Sequence, residues 1–378
     1  MTLSYEEKFR VPMSAPDIDD DDVEAVAAVV RSGRLALGPR CGEFERVVAD
    51  YVGVRNAVAV SSGTAALHLL VRILGIGAGD EVLVPSFTFA ASVNAVMYEG
   101  ATPVFVDIEA ETYNLDPIDL ERRITPRTRA IMAVDVFGHP APWDEIEAVA
   151  SRHGLLVIDD CCEALGAEYK GRKIGRFGAG GAFAFYPNKQ ITTGEGGMIV
   201  TDDDEIARMA VSLRNQGREG GTWLDHARLG FNYRLDDMSA AIGCTQMARL
   251  EQFLAKRAAV AALYTDRLSG VDGVRTPVVR PEVRMSWFVY VITLDAGIDG
   301  AQVIEAMERR GVPARAYFNP IHTQPYVTKS QPPVEGGLPV TEAVTGRTIA
   351  LPFHNNLSAA EVDLVAAALR EAIEEVAR

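Results

Sequence analysis

One lysine of the sequence, Lys189, occurs where an amine could act as a nucleophile. It follows the apolar run AFAF at 182–185 through a turn that contains Pro187, and it precedes the glycine-containing stretch 193–197. A single lysine is usually solvated at the surface. Directly after a buried strand, however, the amine can be desolvated, and a desolvated amine forms Schiff bases with carbonyl compounds.

Two carboxylates lie at the end of another apolar run. Asp159 and Asp160 follow LLVI at 155–158, and buried carboxylates cost free energy unless each has a partner. A metal is one alternative, but no set of His, Asp and Glu residues with metal-ligand spacing accompanies them. A protonated ring nitrogen is the other, because it would form a charge-assisted hydrogen bond with Asp160.

A turn of small residues, SSGT at 61–64, follows the apolar run AVAV and opens into a helical pattern. Free N–H groups and the helix dipole make such a turn an anion site, although an ordinary Ser or Thr N-cap has the same sequence. With Lys189 and Asp160, the turn completes a specific set. Pyridoxal 5'-phosphate (PLP) needs a phosphate cradle, an acid for its pyridinium nitrogen and a lysine for its aldehyde.

Longer motifs resemble those of the nucleotide-sugar aminotransferases of the DegT/StrS type. In the family's order and spacing, between about Pro16 and His354, they are SSGTAAL, GDEVLVPSFTFAASVNA, DDCCEALG, FYPNKQITTGEGG and GFNYRLDDMSAAIG. The resemblance implies a type I PLP-dependent transferase fold that works as a homodimer, with active sites shared between the subunits.

The resemblance also implies roles for individual residues. Lys189 would hold the cofactor as a Schiff base and then move the proton during transamination, and Asp160 would pair with the pyridinium nitrogen. Gly63 and Thr64 would bind the phosphate.

Four further positions are implied by the resemblance alone. Phe89 would stack on the cofactor ring, and Asn232 would reach the phosphate from the neighbouring subunit. Without the family pattern, these two would be an ordinary core aromatic and a turn residue. Tyr317 and His322, in a stretch that resembles a loop near the substrate, are substrate-binding candidates, with simple loop packing as the alternative.

Two positions depart from the family pattern. Glu163 stands where many members carry His or Gln near the cofactor's ring oxygen, and it would have to be protonated or paired there. Ala184 stands where many members place a serine that binds the phosphate. One phosphate contact is therefore lost or supplied elsewhere.

The stretch TTGEGG at 192–197 resembles relatives that act at C4 of the sugar, whereas those acting at C3 often read GDGG. We therefore expect a 4-keto-6-deoxy nucleotide sugar as substrate, with Glu or Gln as amino donor and GDP, UDP or dTDP as the nucleotide. The alternatives are a cyclitol or free-ketone aminotransferase and a PLP-binding regulatory protein without turnover. Lys189 argues against the dehydratase branch, which has His there. The absence of GxGxxG after the first strand argues against a nicotinamide dehydrogenase.

The elements that must position these residues follow an α/β pattern. Seven short apolar runs, AVAV, EVLV, PVFV, AIMAV, LLVI, AFAF and MIV, mostly alternate with helical segments between 57 and 200. Such runs predict a mainly parallel seven-stranded sheet with helices on both faces. From the long amphipathic segment 247–268 onward the pattern changes. We therefore predict a large PLP-binding domain at 1–246, including an N-terminal helical segment, and a small α+β domain at 247–378.

Composition sets limits on partners and compartment. The 378 residues carry a net charge of −15, which argues against a nucleic-acid partner, since such binding depends on clustered Lys and Arg. The acidic run at 17–22 is interpreted as the start of a helix. Four cysteines without a CxxC pair, no signal peptide and no membrane-spanning run predict a cytoplasmic protein without a metal or a membrane anchor.

Overall fold

The computed structural model describes residues 8–220 and 224–377. Its strands, in chain order, are β1 (Asn56–Val60), β2 (Glu81–Pro85), β3 (Thr102–Val106), β4 (Thr128–Val134), β5 (Leu156–Asp160), β6 (Glu168–Tyr169), β7 (Arg172–Lys173), β8 (Gly180–Ala184), β9 (Gly197–Thr201), β10 (Val274–Arg275), β11 (Val283–Arg284), β12 (Tyr290–Leu294), β13 (Arg315–Ala316) and β14 (Thr348–Leu351). Its α-helices are α1 (Asp20–Ser32), α2 (Pro39–Val52), α3 (Gly63–Ile73), α4 (Ala90–Tyr98), α5 (Pro117–Arg122), α6 (Trp143–His153), α7 (Asp204–Arg214), α8 (Asp237–Leu268), α9 (Gly300–Arg309), α10 (Pro325–Thr328), α11 (Pro339–Val344) and α12 (Ala359–Val376).

The large sheet has seven strands in the order β1-β9-β8-β5-β4-β2-β3. The pairs from β8 to β3 are parallel, whereas β9 is antiparallel to both of its neighbours. The predicted α/β class and mainly parallel seven-stranded sheet are therefore confirmed. Because β8 and β9 are antiparallel neighbours, the loop 185–196 between them, which carries Lys189, remains at the carboxyl end of β8.

Both faces of this sheet are covered by apolar side chains. Successive residues of β4 illustrate the arrangement, since Ile131 and Ala133 belong to one buried cluster and Met132 to the other. This alternation is the period of two that a strand imposes on its side chains. It explains why the strands occur in the sequence as continuous apolar runs.

The long helix α8 begins ten residues before the predicted start at 247. The side chain of Asp236 accepts from the N–H of Ser239 and caps it. Gly243, which weakens the helical signal in the sequence, is where the ring of Phe44 packs, and a Cβ there would lie 2.6 Å from that ring. The division predicted between 246 and 247 falls inside this helix and stays a prediction.

Beyond α8 the chain forms two smaller antiparallel sheets. The order of the first is β10-β12-β14-β13, and the second, β11-β6-β7, joins this part of the chain to residues 168–173. Helices α9 and α12 pack with the first sheet around a cluster of buried residues that includes Tyr290, Leu294 and Val365.

The acidic N-terminal run starts helix α1, as predicted, and Asp19 forms a capping box with Asp22. The valines Val23 and Val30 of this helix are 61% and 54% exposed, whereas Asp22 and Val29 are buried. Asp22 is buried against α8, where it pairs with Arg249. Its charge therefore serves a tertiary contact as well as the helix start.

Within 8–220 and 224–377, no helix is long and apolar enough to cross a bilayer. No group of three or more His, Cys, Asp or Glu side chains in these ranges could hold a metal ion. The four cysteines are free thiols. The prediction that no signal peptide is present depends mainly on 1–7, which lie outside the described residues.

Candidate active site

A cavity of about 460 Å³ lies at the carboxyl ends of β1, β2, β5 and β8. In open α/β sheets this edge is where ligands bind. Of the residues singled out in the sequence, the cavity is lined by Gly63, Thr64, Phe89, Asp160, Glu163, Ala184, Lys189 and Tyr317. The turn, the acid and the lysine, which are far apart in the chain, therefore meet at one site.

The turn after β1 packs closely against the neighbouring strand. The Ser62 side chain caps α3 by accepting from the N–H of Ala65, which leaves the first N–H groups of the helix available to another acceptor. A Cβ on Gly63 would lie 2.6 Å from Cβ of Ala184 and 2.8 Å from Sγ of Cys162. Only a glycine fits here. The helix start can therefore approach the end of β8, where Ala184 occupies the position of the missing serine.

The amine of Lys189 is held between an acid and an aromatic ring. Its Nζ lies 3.6 Å from Oε1 of Glu163 and 3.7 Å from the centroid of the Phe288 ring. The Lys189 side chain is only 13% exposed. Such a partly desolvated amine at the wall of a cavity has the environment that a Schiff-base lysine needs.

Asp160, the last residue of β5, is buried at the base of the cavity. Its Oδ2 accepts from Oγ of Ser92 at 2.6 Å, and its Oδ1 accepts from the N–H of Cys162 at 3.3 Å. Burial raises the pKa of this carboxyl, and the bond from Ser92 opposes that rise. A cation at this point of the cavity would keep Asp160 ionised, which is what a pyridinium nitrogen provides.

Glu163, which the sequence left as either protonated or paired, lies beside a cation in the structure. Its Oε2 accepts from the N–H of Phe137 at 2.9 Å, and its Oε1 faces the Lys189 amine. Burial raises the pKa of Glu163, whereas the Lys189 charge lowers it. Lys189 is thus the partner that allows this carboxylate to remain in the cavity wall.

Asp159 points to the opposite face of the sheet and meets a carboxyl that the sequence did not indicate. Its Oδ2 accepts from the N–H of Gly175, and Oδ1 of Asp135 accepts from Ala141 and Trp143. The other oxygens, Oδ1 of Asp159 and Oδ2 of Asp135, have no hydrogen-bond donor within the described ranges. Burial raises the pKa of both acids, and their mutual repulsion raises that of Asp159 further. A proton held by the pair satisfies both oxygens.

Both aromatic candidates, Phe89 and Tyr317, line the cavity. Phe89, the N-cap residue of α4, is 63% exposed. Tyr317 lines the wall near Glu163, and burial raises its pKa to about 12, so its hydroxyl is a hydrogen-bond donor at neutral pH. Its neighbour Phe318 stacks on Phe137, with ring centroids 5.4 Å apart.

His322 and Asn232 do not line this cavity. Nδ1 of His322 hydrogen-bonds Oγ of Ser86 at 2.7 Å, behind the turn that follows β2. Asn232 is exposed, while the carbonyl of the next residue, Tyr233, accepts from the N–H of Ser61 at 2.8 Å. The segment that carries Asn232 therefore runs beside the turn after β1, with the Asn232 side chain outside the cavity of its own chain.

Sequence reasoning missed two residues of the site, Ser92 and Phe288, and it also missed Asp135, which Asp159 meets on the opposite face of the sheet. Ser92 lies within the motif GDEVLVPSFTFAASVNA, four residues after Thr88. This spacing was the only sign in the sequence that Ser92 belongs to the site. Phe288 lies just before β12, 128 residues after Asp160. Asp135 directly follows β4, so the rule that selected Asp159 and Asp160 could also have selected it.

The residues present fit PLP. A buried acid lies at the base, a partly desolvated amine lies in the wall, and a helix start approaches the cavity through a glycine that no larger residue could replace. Together they provide one partner for each reactive or charged part of the cofactor.

Comparison with known proteins agrees with this arrangement. The family model described as the DegT/DnrJ/EryC1/StrS aminotransferase family matches residues 16–370. GDP-perosamine synthase of Caulobacter vibrioides is 40% identical over 368 residues, which cover 96% of this chain and 98% of that protein.

A second curated relative and a solved structure extend the comparison. The dTDP-3-amino-3,4,6-trideoxy-alpha-D-glucose transaminase of Streptomyces venezuelae is 39% identical, covering 93% of this chain and 92% of the relative. The crystal structure of S. venezuelae DesV superposes with a TM-score of 0.90 at 37% identity. It covers 97% of this chain and 99% of that one.

Proposed function

Because this chain belongs to the DegT/DnrJ/EryC1/StrS family of PLP-dependent aminotransferases, we propose that its substrate is a 4-keto-6-deoxy nucleotide sugar. The amino group of Glu or Gln replaces the ketone oxygen at C4. The observation that carries the proposal is the meeting of Lys189, Asp160 and the turn at Gly63 in one cavity. We expect the product to serve amino-sugar and glycoconjugate biosynthesis.

The residues that line the cavity would have different tasks in the reaction. Bound PLP supplies an aldehyde that accepts amines and a ring that withdraws electrons. Lys189 would hold the cofactor through its aldehyde, and its free amine would carry the proton during transamination. Asp160 would pair with the ring nitrogen, supported by the Ser92 hydroxyl. Glu163 would pair with the Lys189 amine when that amine is free.

We also propose that two copies of the chain share their active sites. Asn232 is exposed on a segment that lies beside the phosphate turn, and Phe89 is exposed at the cavity mouth. Both observations support a second subunit that covers the mouth and contributes its Asn232 to the phosphate. Tyr317 is the substrate-binding candidate that lines the cavity, and His322 acts at most through Ser86.

Relatives of nearly equal identity carry different nucleotides in their names. One name contains GDP and the other dTDP with a 3-amino sugar, so overall identity does not select the base or the carbon. The local stretch TTGEGG at 192–197 supports C4. Its Glu195 lines the cavity mouth, where a substrate would pass.

A substrate panel tests the proposal. The enzyme is loaded with PLP and incubated with Glu or Gln and with one ketone at a time. The ketones are GDP-, UDP- or dTDP-linked 4-keto-6-deoxy sugars, the corresponding 3-keto sugars and a cyclitol ketone, and the amino product is detected by mass. Turnover of a 3-keto sugar alone would overturn the regiochemistry. Turnover of a cyclitol ketone alone would select the alternative without a nucleotide.

The role of Lys189 is tested on the same preparations. Lys189→Ala should lose the visible absorption band of the bound cofactor and lower turnover at least about a thousandfold. Lys173→Ala, which removes a lysine packed on Tyr51 outside the cavity, should change neither. A band without turnover of any ketone would favour a regulatory protein, and a protein that gains no band with PLP would refute the mechanism.

A further inference from the structure

A buried arginine lies beneath the Lys189 turn, and it forms no ion pair with any carboxylate of residues 8–220 and 224–377. Arg257, on α8, is 2% exposed. The carboxylate that attracts it, Asp17, is itself bonded to Lys256. Burial lowers the pKa of Arg257 to about 10. A buried charge of this kind is costly unless hydrogen bonds replace its hydration.

Four backbone carbonyls replace the lost hydration of the Arg257 guanidinium. Nη1 of Arg257 donates to the carbonyls of Trp287 at 3.0 Å and Phe288 at 3.1 Å. Nη2 donates to the carbonyls of Lys189 at 2.9 Å and Asn188 at 3.4 Å. One guanidinium therefore joins the turn that carries the cavity amine to the segment that carries the aromatic ring beside it.

These bonds act on the backbone that carries the amine and on the backbone that carries the ring beside it. Phe288 presents its ring 3.7 Å from Nζ of Lys189, and Glu163 lies 3.6 Å from the same atom. A shift of the Phe288 backbone would change the first distance, and a shift of the Lys189 turn would change both. The guanidinium is planar and its donors have fixed directions, so it holds the two segments in one relative position.

We propose that Arg257 is a positioning residue for the Lys189 amine. By binding the carbonyls of Lys189 and Phe288 with one fork, it sets where the amine stands in the cavity. The inference rests on the proposed role of Lys189 in holding the cofactor. A purely structural role, in which Arg257 only fastens α8, would affect stability and leave the chemistry of Lys189 unchanged.

The test uses two substitutions and a control on the same helix. Arg257→Met keeps an unbranched apolar stem and removes the donors, and Arg257→Lys keeps the charge without the fork. Arg249→Met, two helical turns earlier, breaks the pairs with Asp19 and Asp22 and touches neither segment. All are compared with the wild-type protein below their melting temperatures.

Two readouts separate positioning from stability. In the cofactor-free protein, amide hydrogen exchange at 186–191 and 286–290 should rise in Arg257→Met and stay at the wild-type level in Arg249→Met. In the loaded enzyme, kcat should fall about 10- to 100-fold in Arg257→Met, with KM for the keto sugar within about twofold, because small misplacements of a reacting group have effects of this size. Arg257→Lys should give exchange and kcat values between those of the wild type and those of Arg257→Met.

Wild-type kcat and wild-type exchange in Arg257→Met would overturn the proposal. If Arg257→Met does not fold, Arg257→Lys provides the test. Full activity of Arg257→Lys would overturn the proposal that the guanidinium fork positions Lys189. A wild-type cofactor band in Lys189→Ala would instead refute the role of Lys189. The two failures are distinguishable, because the test of Lys189 uses a protein in which Arg257 is unchanged.

Discussion

Replacing Gly63 by alanine tests the phosphate turn directly. The added Cβ would lie 2.6 Å from Cβ of Ala184 and 2.8 Å from Sγ of Cys162, about 1 Å inside an ordinary contact between heavy atoms. Cys162 can rotate away. Ala184, whose Cβ is fixed to the backbone of β8, cannot, so the start of α3 must withdraw from the sheet.

The size of the effect follows from this overlap. Overpacking of one methyl group costs about 1–3 kcal/mol, which we expect as a loss in the free energy of unfolding of the cofactor-free protein in urea. Displacement of the first N–H groups of α3 should weaken PLP binding by a similar free energy, or roughly 5- to 150-fold in Kd. The band of the bound cofactor provides the titration.

Gly42→Ala is the matched control. Gly42 also lies near the start of a helix, but its added Cβ would meet no heavy atom within 4 Å. This substitution should therefore stabilise the protein by about 0.5–1 kcal/mol and leave PLP affinity unchanged. If Gly63→Ala were as stable as the wild type and bound PLP within twofold, the packing argument would be refuted. Lower stability with unchanged affinity would refute only the phosphate role.

Three other substitutions test the Asp135–Asp159 pair, the partner of Asp160 and the contribution across subunits. Asp135→Asn should flatten the pH dependence of stability: burial raises the folded-state pKa of Asp135 and Asp159, so wild-type stability should fall as pH rises above about 4. Urea unfolding at pH 5 and at pH 8 measures the change in the free energy of unfolding with pH. An equal change in the wild type and in Asp135→Asn would contradict this prediction. Ser92→Ala removes a bond to the Asp160 carboxylate worth about 1.5–3 kcal/mol. Turnover should fall about 10- to 100-fold with unchanged circular dichroism, and wild-type turnover would count against the ionised state of Asp160. Asn232→Ala should weaken PLP retention about tenfold, the effect of one lost hydrogen bond to a charged group, at an unchanged melting temperature, whereas unchanged retention would count against the contribution across subunits.

Much of the sheet could be predicted because its strands are buried on both faces and therefore continuously apolar. The same reasoning located Asp160 and Lys189, since both directly follow such runs. The beginning of α8 could not be located in this way. Gly243 weakens the helical pattern there, and its reason, the packing of Phe44, exists only in the folded protein.

Side-chain partners were the part that the sequence could not supply. Whether Glu163 is protonated or paired depends on the position of the Lys189 amine, which the fold determines. Phe288 reaches that amine from a distant segment, and only the structure brings the two together. Asp159 and Asp160 are adjacent in the chain, yet their partners differ because neighbouring residues of a strand point to opposite faces.

The long helix α8 has a consequence for how the protein unfolds. Its first half packs in the core beneath the large sheet, through Ala240 and Leu250, and its second half packs in the small-sheet core, through Val260 and Tyr264. Melting either core removes contacts from the same helix. We therefore expect a single cooperative transition, and a chain cut at 246 should yield two fragments that do not fold independently.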